Sequence, residues 1–125
     1  TISIIKQILQ TQDEIELAVL IGSRVDGRAR PDSDWDVAIQ WQRELLLLDN
    51  LAKTEELRHK LAVALGVTDD RIDLIDLPRA GLTMRVLVSE EGIPLKGEDS
   101  LAWNHFLARA WRELEDYEWE KRYAA

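Results

Sequence analysis

The segment ARPDSDWDVAI, at residues 29–39, contains two aspartates separated by a single tryptophan. Residues two positions apart in a strand project from the same face, so the carboxylates of Asp34 and Asp36 would point together. The apolar residues that alternate with them would face the other way: Trp35, Val37 and Ile39. Two neighbouring carboxylates repel each other unless one is protonated or a cation lies between them. Magnesium prefers such oxygen ligands and often binds substrate phosphates as well, so the pair predicts a metal site for phosphate chemistry.

A third carboxylate for this site could come from the segment RIDLIDL, at residues 71–77. Asp73 and Asp76 are three positions apart, so in a strand they face opposite sides and only one can join the first pair. Asp73 would be buried in the middle of the strand, where an unpaired acid is costly, whereas Asp76 is close to Pro78 and the strand end. We therefore predict Asp73 as the third acid, with Asp76 as the alternative.

Gly22 and Ser23 directly follow an apolar run that reads as a buried strand. A glycine at this point allows backbone amides to approach an anion closely, and the serine hydroxyl adds a donor. Each motif alone is weak, because most D-x-D pairs are surface acids. A phosphate-binding turn that faces three acids, with metal between them, is typical of phosphoryl or nucleotidyl transfer.

The elements that would position these residues follow from hydrophobic periodicity and from glycine and proline positions. The pattern predicts α/β (or α+β) architecture, with a small mixed sheet backed by helices. The predicted helices lie at residues 1–12, 44–65, 80–89 and 101–123, and the predicted strands at 17–21, 34–39, 71–77 and, at an edge, 93–96.

Length and composition limit the remaining options. With 125 residues, we expect one domain over 1–125. The absence of cysteine excludes disulfides and thiolate metal sites and favours the cytoplasm, and no apolar run is long enough to span a membrane. The net charge of −8 would repel a phosphate backbone, so we expect no direct nucleic-acid partner.

The spacing Gly22-Ser23-x10-Asp34-x-Asp36 resembles the G-S-x10-D-x-D signature of the polymerase-beta-like nucleotidyltransferase superfamily. The segment ARPDSDWDVAI is similar to the ARPDSDIDL stretch of its smallest members, the minimal nucleotidyltransferases (MNT). RIDLIDL resembles the strand that carries the third catalytic aspartate in that family. The resemblance covers nearly the whole chain and implies a polymerase-beta-like nucleotidyltransferase fold.

The resemblance also implies roles for these residues. Gly22 and Ser23 would bind the triphosphate of ATP, and Asp34, Asp36 and Asp73 would bind two magnesium ions. Asp73 would in addition help to deprotonate the attacking hydroxyl. The reaction would be an in-line attack on the α-phosphorus with release of pyrophosphate. In one departure from the family pattern, Asp26 stands where many members carry arginine, and the replacement cations would be the nearby arginines: Arg24, Arg28 and Arg30.

The family finally implies a partner. MNT proteins pair with a HEPN-domain RNase toxin, and the resemblance implies an antitoxin that transfers AMP to a toxin tyrosine within a hetero-oligomer. Only one helix is predicted after the edge strand, so we expect a partner protein to supply the acceptor. We expect the exposed docking surface on the helix around Trp103–Tyr117. Two alternatives stay open: an antitoxin that neutralises its toxin by binding alone, and a nucleotidyltransferase for small molecules.

Overall fold

The computed structural model describes residues 1–42 and 47–124 of the chain. Within these ranges, four helices and four strands follow each other in the order α1 (Ile2–Gln10), β1 (Ile15–Ile21), β2 (Trp35–Trp41), α2 (Leu47–Leu65), β3 (Ile72–Asp76), α3 (Leu82–Glu91), β4 (Ile93–Lys96) and α4 (Leu101–Tyr123). Short 3-10 turns connect some of them, at Gly22–Arg24, Asp69–Arg71 and Leu77–Arg79. None of the helices in the described ranges is long and apolar enough to cross a membrane.

The strands form one mixed sheet in the order β3-β2-β1-β4. β1 is antiparallel to both β2 and β4, whereas β2 and β3 are parallel. Parallel neighbours need a crossover connection, and α2 lies between them in the chain. The small mixed sheet and its helices confirm the predicted fold class.

Helices cover both faces of the sheet, which explains why β1 is apolar without alternation. Residues of α1 and α2 share one buried cluster with Trp35, Val37 and Ile39 of β2. Residues of α3 and α4 share a second cluster with Ala38. The predicted alternation along β2 is therefore confirmed, and Asp36, two positions from Ala38, belongs to the face that α3 and α4 cover.

Local sequence signals explain most element ends. Gly66 adopts φ +70° directly after α2, as expected for a glycine that ends a helix. Ser100 caps α4, since its Oγ accepts a hydrogen bond of 3.2 Å from the backbone N–H of Trp103. The bounds predicted for α4 and β4 are confirmed. The predicted start of α2 at residues 44–46 lies outside the described residues.

Other predicted bounds were wrong by one or two residues. Helix α3 begins at Leu82, two residues later than predicted, because a 3-10 turn that contains Pro78 precedes it. Strand β2 begins at Trp35, so Asp34 belongs to the loop that enters the strand.

Candidate active site

The register of the parallel pair β2–β3 decides which acids meet. Asp36 lies directly opposite Asp73, so both carboxylates start from neighbouring strands on one face. Asp76 lies opposite Ile39, further along the strands, and its Oδ2 is 3.5 Å from Nε of Arg79. Of the two candidates for the third acid, the structure brings Asp73 to Asp36 and leaves Asp76 apart.

The predicted burial of Asp73 is wrong. Its side chain is exposed, because β3 is an edge strand of the sheet. Asp73 therefore needs no partner to offset desolvation. Its position beside Asp36 follows from the parallel register, which the sequence of a single strand does not contain.

Asp36 lies in an unfavourable electrostatic environment for a carboxylate. It is half-buried, and burial raises its pKa above the ordinary value of 3.8. The charges of Asp73 and Asp34 raise the pKa further, as does a hydrogen bond with Asp73. A cation between Asp36 and Asp73 would remove the repulsion, and carboxylate oxygens are the ligands that a divalent ion such as magnesium prefers.

Asp34 interacts with this pair but its carboxylate contacts an arginine. Asp34 Oδ1 lies 3.6 Å from Nη1 of Arg71, and the Asp34 side chain is 50% exposed. In residues 1–42 and 47–124, no three acidic, histidine or cysteine side chains come together in an arrangement that could hold a metal ion. The structure thus brings Asp36 and Asp73 into contact, with Asp34 adjacent and paired to Arg71.

Gly22 packs directly against the Asp36 carboxylate. Ile21 pairs with Asp36 across β1 and β2, and Gly22 follows with φ +83° in the 3-10 turn. A Cβ at Gly22 would overlap Asp36 Oδ2 and would lie 3.3 Å from its Cγ. Glycine is therefore required both by the backbone conformation and by the close approach. Of the two predicted phosphate-binding residues, Gly22 therefore adjoins Asp36, and Ser23 is the next residue of the same turn.

Arg24 of this turn and Arg28 of the loop that follows it both bind groups within residues 22–35. Arg28 Nε lies 2.7 Å from Asp26 Oδ2, and this hydrogen bond lowers the pKa of Asp26 and raises that of Arg28. Arg24 Nη2 donates to the carbonyl oxygen of Ser33 at 2.8 Å. Its guanidinium also stacks 4.2 Å from the ring centroid of Trp35. In this conformation, Arg24 and Arg28 therefore bind groups of the loop itself.

Arg71 is the residue near the acids that the sequence patterns did not predict. It immediately precedes β3, and its Nη1 donates to the carbonyl oxygen of Asp32 at 2.7 Å, close to its contact with Asp34. The spacing Arg71-x-Asp73 was the available signal, because residues two apart near a strand share a face.

The chain matches the family model "Polymerase beta, Nucleotidyltransferase" over residues 4–101. No curated protein matches the chain significantly. Among solved structures, the chain is similar to a protein of a toxin–antitoxin crystal structure with AMP-PNP, at 24% identity and a TM-score of 0.74 over 98% of this chain and 93% of that one.

Two further solved structures are similar over most of their length. A chain of the toxin–antitoxin MntA-HepT crystal structure is 27% identical, with a TM-score of 0.63 over 96% of this chain and 88% of that one. A chain in the structure of a tri-AMPylated Shewanella oneidensis HEPN toxin in complex with MNT antitoxin is 21% identical, with a TM-score of 0.66 over 98% and 93%. The fold is therefore shared along nearly the whole of each chain.

Proposed function

The chain belongs to the polymerase beta nucleotidyltransferase family, and from this premise we propose that it is an antitoxin that transfers AMP from ATP to a tyrosine hydroxyl of a HEPN-type RNase toxin. The observation that carries the proposal is the contact of Asp36 with Asp73 beside the turn at Gly22. In that arrangement, a bound cation would relieve the repulsion between the carboxylates, and the backbone amides of the adjacent turn could bind phosphate.

In this proposal, the backbone amides of Gly22 and Ser23 and the Ser23 hydroxyl donate hydrogen bonds to triphosphate oxygens. Asp34, Asp36 and Asp73 would hold two magnesium ions. Bound magnesium neutralises phosphate charge and stabilises the attacking and leaving oxygens. The acceptor oxygen forms a bond to the α-phosphorus while the bond to the pyrophosphate oxygen breaks. Asp73 accepts the hydroxyl proton, and its exposure on the edge strand leaves it accessible to an acceptor.

The choice of a HEPN toxin as acceptor is supported by the similar MNT antitoxin of Shewanella oneidensis, whose HEPN partner is tri-AMPylated. The similar MntA-HepT structure is likewise a toxin–antitoxin complex. The net charge of −8 independently disfavours RNA as the acceptor, because a phosphate backbone would be repelled.

The docking surface that we propose lies on the C-terminal half of α4. Four aromatic side chains there are exposed: Trp111, Tyr117, Trp119 and Tyr123. Trp103, which the sequence analysis included in the docking surface, instead packs against the core and stacks on Phe106 with ring centroids 5.4 Å apart. Exposed aromatic clusters of this kind commonly mark protein interfaces, and aromatic residues dominate their binding energy.

Transfer of a label from ATP tests the reaction class. ATP labelled at the α-phosphate should label the partner protein in the presence of magnesium, whereas ATP labelled at the γ-phosphate should not. Label that appears only on an added small molecule would instead support the small-molecule nucleotidyltransferase. Absence of transfer to either acceptor, with the toxin still inhibited, would support the antitoxin that acts by binding alone.

A further inference from the structure

The segment that leads into β2 lies between two arginines from different parts of the chain. Arg24, from the turn after β1, donates from Nη2 to the Ser33 carbonyl oxygen at 2.8 Å. Arg71, from the residue before β3, donates from Nη1 to the Asp32 carbonyl oxygen at 2.7 Å. Two consecutive carbonyl groups, immediately before Asp34, are thus each held by a charged donor, and such hydrogen bonds are stronger than neutral ones.

Arg24 is itself anchored to the core. Its guanidinium lies 4.2 Å from the ring centroid of Trp35, which is only 6% exposed. A guanidinium over an indole face is attracted by the ring and restricted in its rotamers. Through its hydrogen bond to Ser33, Arg24 therefore fixes the position of the loop relative to the buried Trp35 side chain.

Arg71 connects the same loop to the strand of the third acid. Its contact with Asp34 Oδ1, at 3.6 Å between half-exposed groups, is a weak ion pair by itself. The hydrogen bond to Asp32 is the stronger of the two contacts, and Arg71 lies only two residues from Asp73. Arg71 therefore links the backbone before Asp34 to the strand that carries Asp73.

Asp34 needs such support because strand pairing begins one residue later, at Trp35. We infer that Arg24 and Arg71 act as a clamp, a pair of positioning residues that holds Asp34 beside Asp36 and Asp73 for binding of the metal–nucleotide complex. This role rests on the proposed function, since it concerns the same three acids. Precise placement matters there because a small displacement of a positioned ligand lowers both metal affinity and rate.

Amide hydrogen exchange of the metal-free chain tests whether the clamp exists. Arg71→Met should increase exchange in residues 30–36 by about five-fold or more, because a charge-assisted hydrogen bond is lost. Arg24→Lys should act in the same direction in the same segment. The matched control is Arg79→Met, which removes an exposed arginine with a similar 3.5 Å ion pair, to Asp76, at the other end of β3. Exchange in residues 30–36 that is equal in Arg71→Met and Arg79→Met would overturn the inference.

Binding of manganese, as a spectroscopic substitute for magnesium, tests the consequence. In the presence of an ATP analogue with a non-cleavable α–β bridge, Arg71→Met should weaken manganese binding by about three- to ten-fold. Arg71→Lys keeps the charge but loses the planar guanidinium, whose Nη1 contacts both oxygens. It should therefore lose less affinity than Arg71→Met, and it replaces Arg71→Met if that variant does not fold. Normal wild-type binding that neither variant changes would overturn the clamp alone. A wild type that binds neither manganese nor the analogue would contradict the proposed function as well.

Discussion

At Asp36, the fold makes the charged form of the carboxylate unfavourable. Its pKa is raised by burial and by the charges of Asp73 and Asp34, so the folded protein binds this proton more tightly than the unfolded chain does. The stability contributed by protonated Asp36 is therefore present below its ordinary pKa of 3.8 and is lost as the pH rises through the raised value. A carboxylate whose charge lowers the free energy of unfolding is expected where it serves as a ligand for a cation.

Asp36→Asn should therefore increase the metal-free free energy of unfolding at pH 7, by a few tenths to about 1 kcal/mol, because like charges on neighbouring strands are destabilising. The same variant should lose transferase activity by roughly 100-fold or more. Denaturant unfolding at pH 7 and at pH 3 measures the first effect, and the difference from wild type should shrink at the lower pH. A variant less stable than wild type at pH 7 would contradict the repulsion assigned to Asp36.

Comparing Gly22→Ala with Gly27→Ala separates the cost of a positive φ from the cost of the close approach to Asp36. Gly27 is the matched control, because it has a similar φ of +78° but its added Cβ would meet nothing within 4 Å. Gly27→Ala should cost about 1 kcal/mol from the positive φ alone. Gly22→Ala should cost clearly more and should also weaken ATP binding, since its Cβ displaces the Asp36 carboxylate. Equal losses of stability in the two variants would show that the approach to Asp36 is not tight.

At the scale of elements, the parallel register of β2 and β3 places Asp73, and not Asp76, opposite Asp36. Asp73→Asn should abolish transfer, because Asp73 lies opposite Asp36, whereas Asp76→Asn should retain it. Both side chains are exposed on the same strand, so the two variants are well matched for stability. Steady-state transfer rates provide the measurement, and an inactive Asp76→Asn beside an active Asp73→Asn would reverse the assignment.

Helices α3 and α4 are joined by Glu113, which contacts Arg85 of α3 and lies 2.8 Å from Arg109 of α4. Burial alone would raise the pKa of Glu113, but the hydrogen bonds from the two arginines hold it below the ordinary 4.5. This stability is present above pH 4.5 and is lost as the pH falls through the lowered value. Glu113→Gln should cost about 1–2 kcal/mol at pH 7 in denaturant unfolding. The exposed Glu115→Gln is the control, and an equal loss there would contradict the account.

How far the sequence predicted these elements depends on whether the signal was local. The end of α2 at Gly66 and the start of α4 at Ser100 are predictable, because left-handed backbone conformations and capping depend on one residue. The face of β2 that carries Asp36 is predictable because strand alternation is equally local, whereas Asp34 lies in the loop before the strand. The burial assigned to Asp73 was wrong because sheet order places β3 at an edge, and sheet order depends on the entire chain. Arg71 was missed because its partner Asp32 is 39 residues away.

At the scale of the whole molecule, an acidic body carries a helix whose second half exposes aromatic side chains. Trp119→Ala should weaken association with the HEPN partner by about ten-fold or more, with little change in thermal stability, because Trp119 is 63% exposed. Val63→Ala, at a 67% exposed position on α2, is the control. Titration calorimetry measures the affinities of both variants, and equal affinities would place the docking surface elsewhere.

Association should also slow as salt increases, given the net charge of −8.

The most direct measurement of the central claim is the intact mass of the HEPN partner after incubation with this chain, ATP and magnesium. The proposed function predicts the addition of one or more AMP units, together with loss of RNase activity. The addition should disappear with Asp36→Asn, which is expected to keep the fold and to remove a proposed metal ligand. An unchanged partner mass, with RNase inhibition that persists without ATP and with Asp36→Asn, would contradict nucleotidyl transfer and would identify an antitoxin that acts by contact alone.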